Sequence, residues 1–192
     1  MIQRDIVQGA PLVGRDAEQR ALAAALAGAL AGRGQLVLVS GEAGIGKTAL
    51  VETLEQTARC QSLAVLTGRC YDLSADQPYG LWSDLGRGLP ADPTLPPFPP
   101  AITQTVAEAR VASQHTLLQE LTHFFEQLAA RGPLLLVLED IHWADTDSLT
   151  ALRVLARALR GRPLLMVATY RSDELTRRHS LHQLVPQLVR EA

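Results

Sequence analysis

The one lysine of this chain, Lys47, lies in a glycine-rich segment that reads GEAGIGKT over residues 41–48. The other seventeen basic residues are arginines. The segment fits the pattern GxxxxGK(S/T), which predicts a loop whose backbone N–H groups wrap around phosphate. A compact ammonium group suits the β- and γ-phosphate oxygens, and the Thr48 hydroxyl can serve as a ligand of Mg²⁺. The predicted nucleotide-phosphate residues are Gly41, Glu42, Ala43, Gly44, Ile45, Gly46, Lys47, Thr48 and Ala49.

Two acidic residues, Glu139 and Asp140, follow the apolar run LLLVL at residues 134–138. The run predicts a buried parallel strand, and the carboxyl ends of such strands face the crevice where ligands bind. One acid would hold Mg²⁺, directly or through water, and the other would orient and polarise the attacking water. The alternative is an acidic pair that caps a helix or faces solvent, but the upstream phosphate loop favours a metal site. The predicted metal ligands are Thr48, Glu139 and Asp140.

A third polar strand end carries Arg171, directly after the apolar run PLLMVATY at residues 163–170. An arginine on a strand that follows the acidic strand can reach a γ-phosphate and report its presence. The alternative is an exposed charge that begins the next loop. The predicted catalytic residues are Lys47, Glu139, Asp140 and Arg171.

These polar groups need a scaffold that holds them at one edge. Apolar runs predict buried strands at residues 35–40, 62–68, 134–140 and 163–170. Helical spacing and composition predict helices at residues 15–32, 47–59, 101–131, 146–159 and 174–192. Because the strands are apolar throughout, they indicate a parallel sheet covered by helices on both faces, which is an α/β fold.

The connections between these elements carry further polar and turn-forming residues. The composition changes from residue 70, and residues 90–100 are predicted to be a loop or an extended segment because six of the 11 prolines fall there. Asp145 is predicted to cap the helix that follows it. His142 and Trp143 are predicted to pack at the end of the sheet rather than to take part in catalysis.

Length and composition exclude several classes of protein. A chain of 192 residues with 47% hydrophobic residues can form one domain with a sizeable core. A net charge of −2 shows no electrostatic footprint for nucleic acid. Cys60 and Cys70 form no CxxC pair, which excludes a disulfide scaffold and argues against a zinc site. Since the sequence shows no signal-peptide pattern and no apolar run of membrane-spanning length, we expect a soluble, cytoplasmic protein.

Four motifs in a fixed order resemble the ATPase module of the STAND class of P-loop NTPases, which is related to AAA+ proteins. They are LVGRDAE at 12–18, SGEAGIGKTAL at 40–50, LLLVLEDIHWAD at 134–145 and ATYR at 168–171. More narrowly, they resemble the N-terminal ATPase domain of large LuxR-type (MalT-like) bacterial transcription regulators. Such proteins also carry a PY-containing segment where this chain has PYGLW at 78–82.

This resemblance implies a P-loop NTPase three-layer sandwich with a mostly parallel sheet that binds ATP or ADP with Mg²⁺. The fourth strand would lie between the first and the third, which would place Arg171 close to Lys47 and Glu139. The residues expected beside the adenine are Val13, Gly14 and Arg15.

The chain departs from the family pattern at two points. Glu139 stands where the family more often has Asp, and its longer side chain implies a different hold on Mg²⁺ and slow hydrolysis. Family members continue into a fifth strand and a lid made of a helical domain and a winged helix. Residues 1–192 are therefore expected to form a single ATPase core that is truncated at its C-terminus, with the Pro-rich loop 90–100 inside it.

The function implied by the resemblance is that of an ATP-binding, slowly hydrolysing switch module in a signalling or transcription regulator. Its expected partners are ATP and either further copies of itself or downstream effector domains of a longer protein. Direct DNA binding by this segment and membrane binding are not expected. Two alternatives stay open, namely a nucleotide-binding scaffold that does not hydrolyse ATP and an AAA+ ATPase of the origin-recognition or loader type.

Overall fold

Strands and helices alternate along the chain, as the apolar runs predict. The computed structural model describes residues 14–72, 77–103, 113–176 and 179–191. The strands are β1 (Gln35–Gly41), β2 (Ala64–Arg69), β3 (Leu134–Glu139) and β4 (Leu164–Arg171). The helices are α1 (Asp16–Leu30), α2 (Lys47–Cys60), α3 (Gly80–Arg87), α4 (Pro100–Thr103), α5 (Gln114–Arg131), α6 (Thr146–Ala158) and α7 (Ser180–Glu191). A short 3₁₀ turn, Ile141–Trp143, follows β3.

The four strands of the described residues form one parallel sheet in the order β1-β4-β3-β2. This order confirms the α/β fold class and the position of the fourth strand between the first and the third. In the register of the sheet, Gly41 lies opposite Arg171 and Arg69 lies opposite Glu139. The carboxyl ends of all four strands therefore meet at one edge, where the predicted polar residues are collected.

Two layers of helices cover the sheet and explain why β3 and β4 are apolar up to their polar C-terminal ends. Alternate side chains of these strands point to opposite faces, and both faces are buried. On one face the strands pack against α1 and α2, and on the other against α3, α5, α6 and α7. The strand residues on the α1 and α2 face are Leu135, Val137, Leu165 and Val167.

Three predicted elements differ from the observed ones. No helix is predicted between residues 70 and 90, but α3 lies there, and its buried Leu81, Trp82 and Leu85 pack into the core. Residues 104–112 of the single helix expected over 101–131 lie outside the described residues, and Ser113, with extended backbone angles, caps a separate helix, α5. The last helix begins at Ser180 rather than near residue 174.

Two expectations about exclusion can be compared with the structure. Cys60 is exposed and Cys70 is buried, and both are free thiols. Among the described residues, no helix is both long enough and apolar enough to cross a bilayer.

Candidate functional site

The connection between β1 and α2 is a tight loop built largely from backbone. Gly44 and Gly46 have left-handed φ angles of 73° and 91°, a conformation that glycine adopts without steric cost. A Cβ atom on Gly41 would lie only 2.9 Å from Cγ2 of Ile45, so the loop also folds back closely on its own start. Gly46 is the N-cap of α2 and has no side chain to satisfy the first N–H groups of that helix. The first N–H groups of α2 therefore have no side-chain cap, and their role in binding phosphate stays a prediction.

The Lys47 ammonium lies inside this loop. Its Nζ atom donates hydrogen bonds to the carbonyl oxygens of Gly41 and Glu42, each at 2.8 Å, and the residue is 9% exposed. Both acceptors are neutral, so these bonds position the positive charge without cancelling it. Such a charge beside the open N-terminus of a helix attracts an anion. Thr48, the next residue, is exposed at the first turn of α2.

The residues expected beside adenine are placed in part by the described structure. Arg15 precedes α1, and its Nη2 atom donates to the carbonyl oxygen of Ile45 at 2.6 Å. Gly14 comes just before it with a φ of 80°, and Val13 lies outside the described residues. A cavity of about 250 Å³ adjoins Arg15 between α1 and β1, and Leu22 and Val37 are among its lining residues. Arg15 thus joins the start of α1 to the phosphate loop.

Glu139 ends β3 and is held by an arginine from the neighbouring strand. Its Oε2 atom accepts a hydrogen bond from Nε of Arg69 at 2.6 Å and is also paired with Nη2 of the same guanidinium. Glu139 is 7% exposed, and its hydrogen bond raises the pKa of Arg69 above the usual value. Arg69 was missed in the sequence, although it ends a strand at the same edge as Glu139. Its position at the end of a predicted strand was the one feature of the sequence that could have indicated the pairing with Glu139.

Asp140 adopts a strained backbone conformation that is fixed by β4. Its φ angle is 55°, in the left-handed region that few residues other than glycine, asparagine and aspartate occupy. The Asp140 N–H donates to Oγ1 of Thr169 at 3.1 Å, and Thr169 is buried near the end of β4. The hydrogen bond to Thr169 therefore ties the Asp140 backbone, just after β3, to the end of β4. Thr169 is a second residue that the sequence analysis missed as a partner.

Arg171 ends β4 beside the first residue of the phosphate loop. Its backbone is paired in register with Gly41, whose carbonyl also accepts from Lys47. Its guanidinium, however, donates from Nη1 to Oε1 of Glu174 at 2.6 Å, and its central carbon lies 5.1 Å from the ring centre of Trp143. The bond to Glu174 raises the pKa of Arg171. The strand order places the Arg171 backbone beside the phosphate loop. Its side chain, however, contacts Trp143, which follows β3, and Glu174, which follows β4.

His142 is buried between two acidic side chains. It is 2% exposed and its ring packs against Trp143 with centres 4.5 Å apart, which agrees with the predicted packing role. Its Nε2 atom lies 3.2 Å from Oε2 of Glu174, and its Nδ1 atom lies 3.9 Å from Oδ1 of Asp140. Neither ring nitrogen forms a hydrogen bond of good geometry within the described residues. Burial lowers the pKa of His142, although the nearby carboxylates act in the opposite direction.

Asp145 joins two segments that are 65 residues apart in sequence. Its carboxylate accepts from the N–H groups of Tyr79 and Gly80, each at 3.0 Å, and from the N–H of Ser148 at 2.9 Å. The last of these bonds confirms Asp145 as the N-cap of α6. The indole N–H of Trp82 donates to the carbonyl of Ser148 at 3.1 Å. The PYGLW segment is therefore attached to the start of α6, a connection that the N-cap prediction did not include.

The oxygen donors at this edge suit Mg²⁺ only when a nucleotide supplies further ligands. Within the part of the chain that the structure describes, no group of three or more His, Cys, Asp or Glu side chains could hold a metal ion. Mg²⁺ in nucleotide sites takes one or two protein oxygens, together with phosphate oxygens and water. The Thr48 hydroxyl and the Asp140 carboxylate are such donors, and Glu139 shares its Oε2 atom with Arg69.

Comparison with known proteins gives a family and a fold. A family model described as "AAA ATPase domain" matches residues 11–167. An uncharacterized protein of Rhizobium meliloti (strain 1021) is 26% identical over 193 aligned positions, which cover 85% of this chain and 19% of that protein. The chain thus spans about a fifth of the length of that relative.

Solved structures with a similar fold include two archaeal proteins. The Aeropyrum pernix ORC2 protein is 20% identical with a TM-score of 0.57, and the match covers 98% of this chain and 48% of that one. The Cdc6p protein from Pyrobaculum aerophilum is 18% identical with a TM-score of 0.65, and the match covers 98% and 45%. This chain spans about half the length of each, and at these identities the likeness establishes the P-loop NTPase α/β fold.

Proposed function

Because this chain belongs to the AAA ATPase domain family, we propose that it binds ATP and ADP with Mg²⁺ and hydrolyses ATP slowly as a switch module of a signalling or transcription regulator. The observation that carries the proposal is the phosphate loop. It combines an open helix N-terminus after Gly46 with a buried ammonium, Lys47, whose two bonded acceptors are neutral carbonyls. This combination favours a polyanion such as the triphosphate of ATP.

The side chains around the loop take distinct roles in this proposal. Lys47 contacts the β- and γ-phosphate oxygens, and residues 41–49 surround the phosphates with backbone donors. Thr48, Asp140 and Glu139 hold Mg²⁺, which offsets the negative charge of the phosphates when it is bound. The adenine lies beside the LVGRDAE segment, where Arg15 contacts the loop through Ile45.

Slow turnover follows from how the acids are held. Asp140 orients the attacking water, because its backbone is fixed between β3 and β4 by the bond to Thr169. Glu139 is tied to Arg69, so its carboxylate is less able to assist. Arg171 detects the γ-phosphate from the end of β4. A state that persists between hydrolysis events suits a switch better than a continuously cycling motor.

The regulator assignment rests on the resemblance and on one contact. Asp145 of the HWAD sequence binds the backbone of the PYGLW segment, so two motifs of the LuxR-type resemblance form one structural unit beside the acids. A change at Asp140 can therefore be passed to α3 and α6 through a connection of five residues. The partners that receive this change are further copies of the chain or effector domains in a longer protein.

The test is a comparison of nucleotide-dependent stability between the natural chain and Lys47→Ala. With MgATP at about 100 times its Kd, the natural chain should gain about 2.7 kcal/mol of unfolding free energy. Lys47→Ala should show no gain relative to its own nucleotide-free state. Arg33→Ala, which removes an exposed cation just before β1, should respond like the natural chain. Undiminished stabilisation of Lys47→Ala by ATP would refute the proposal.

Phosphate release separates a switch from a scaffold that does not hydrolyse ATP. The natural chain should release phosphate slowly but above background, and Asp140→Asn should remove that turnover while it retains nucleotide binding. Asparagine tolerates the left-handed backbone at this position, so the substitution tests the carboxylate rather than the fold. Tight binding with no phosphate release from the natural chain would favour the scaffold alternative. The likeness to ORC2 and Cdc6p concerns the fold and does not by itself favour the loader alternative.

A further inference from the structure

The side chain of Arg171 is held by two neighbours that lie outside the phosphate loop. Its Nη1 atom donates to Oε1 of Glu174 at 2.6 Å, and its guanidinium lies over the Trp143 ring at 5.1 Å. Arg171 and Glu174 are 31% and 36% exposed, so the pair is partly hydrated and open to exchange. Meanwhile the Arg171 backbone lies beside Gly41, at the start of the loop. The Arg171 backbone thus lies beside the phosphate loop, while its guanidinium is bound to the Glu174 carboxylate.

Glu174 is itself positioned from the buried side. Its second carboxylate oxygen, Oε2, lies 3.2 Å from Nε2 of His142, a ring that is 98% buried, and the other ring nitrogen faces Asp140. His142 packs against Trp143, which carries the Arg171 guanidinium. Asp140, His142, Glu174 and Arg171 therefore form one continuous row across the ends of β3 and β4.

We infer that Glu174 is a positioning residue that competes with the terminal phosphate of ATP for the Arg171 side chain. In the arrangement seen here, Glu174 and Trp143 keep Arg171 in a resting position. The γ-phosphate of ATP displaces the carboxylate because it offers more negative charge and several acceptor oxygens to the same guanidinium. ADP has no such group and leaves the Arg171–Glu174 pair intact. The inference rests on the proposed nucleotide function and adds the residue that sets the preference between ATP and ADP.

The strength of the pair suits this role. Partly exposed ion pairs between residues three apart are weak, so a phosphate can break this one, but breaking it still reduces the affinity for ATP. Removing the Glu174 charge should therefore strengthen ATP binding and leave ADP binding almost unchanged. A general effect of charge would instead strengthen the binding of both nucleotides, since both carry negative phosphates.

The experiment measures the ratio of the ADP and ATP dissociation constants, with Mg²⁺, for the full chain and its variants. Glu174→Gln should raise the preference for ATP about two- to fivefold. The matched control is Glu126→Gln, because Glu126 is also 36% exposed and also pairs with an arginine, Arg162, but lies on α5. This control should leave the ratio unchanged. In an Arg171→Ala background, Glu174→Gln should no longer alter the ratio.

Each result separates the inference from the function on which it rests. If Glu174→Gln strengthens ATP and ADP equally, or if its effect persists without Arg171, the competition is refuted while nucleotide binding stands. If the ratio is unchanged in Glu174→Gln but falls in Arg171→Ala, Arg171 detects the γ-phosphate without competition from Glu174. If the natural chain binds neither nucleotide, the proposed function itself is overturned.

Discussion

Two strand-to-helix connections, β1 to α2 and β3 to α6, reach the same edge of the sheet but treat the following helix differently. α2 begins after Gly46, which has no side chain to cap it. α6 begins after Asp145, whose carboxylate accepts the Ser148 N–H. A helix N-terminus favours negative charge. In α6 the protein supplies that charge itself, whereas in α2 no side chain does.

The two connections also bend by different means. Gly44 and Gly46 take left-handed backbone angles at no steric cost, and they leave room for a ligand to approach the backbone. Asp140 takes a similar angle at a cost that glycine would avoid, and Thr169 holds it there. The first connection therefore consists of a glycine turn without a capping side chain, whereas the second fixes the backbone of the acidic residues at the end of β3. One edge of the sheet therefore carries an uncapped helix N-terminus and a capped, anchored one side by side.

The connection from β3 to α6 is called the closed connection here, because Asp145 caps its helix. The largest expected effect comes from removing that cap. Asp145→Ala should lower the free energy of unfolding by about 3 kcal/mol, because it leaves the buried N–H groups of Tyr79, Gly80 and Ser148 without their acceptor. Urea unfolding at equilibrium would measure the change. The control is Asp147→Ala, which removes the other acid of the first turn of α6 and should cost less than about 1 kcal/mol. Equal effects of the two substitutions would show that Asp145 acts only as a charge near the helix.

The connection from β1 to α2 is the open connection, because no side chain caps its helix. A smaller effect is expected from straining its backbone at Gly46. Gly46→Ala meets no atom within 4 Å, so its cost is set by the left-handed φ of 91° and should be about 1–2 kcal/mol without nucleotide. Gly132→Ala is the control, since Gly132 has an extended φ of 163° and equally open space. It should be neutral or stabilising by about 0.5 kcal/mol. Thermal and urea unfolding of both variants would reveal the difference in sign, and a neutral Gly46→Ala would show that the loop relaxes to another conformation.

The open connection could be predicted from sequence because its determinants are local. Glycine spacing, a preceding apolar run and a following helix all fall within residues 35–60, and each reports the same structure. The four strands were equally accessible, because β3 and β4 are buried on both faces and so contain only apolar residues until their ends. The position of β4 between β1 and β3 also followed once the resemblance of the motifs was recognised.

The partners of the charged residues could not be predicted in the same way. Arg69 meets Glu139 only because β2 lies next to β3, and the two residues are 70 positions apart. Asp145 was identified as a cap from local spacing, but its bonds to Tyr79 and Gly80 depend on where α3 docks. α3 itself was missed because the prolines from 90 onward dominated the composition of the segment. Side-chain partners are decided by tertiary packing, which composition and spacing do not encode.

The smallest effect is a difference in reactivity between the two thiols, which reports local opening of the closed connection. Cys60 is exposed at the end of α2, whereas Cys70 is buried and its N–H donates to the carbonyl of Glu139 at 3.0 Å. Burial raises the pKa of the Cys70 thiol to about 12. At pH 8 only about one Cys70 thiol in ten thousand would be ionised, and the thiolate is the reactive form.

A thiol reagent at pH 8 should therefore modify one cysteine of the folded chain quickly and both in denaturant. Cys60→Ser should leave no fast reaction, which assigns the fast site. In that background, Asp145→Ala should speed the modification of Cys70, because the PYGLW segment, which shares a core cluster with Cys70, loses its attachment to α6. Gly46→Ala should not have this effect. Equal acceleration by the two substitutions would mean that the two connections open together, and the sheet edge would then behave as one cooperative unit rather than as two.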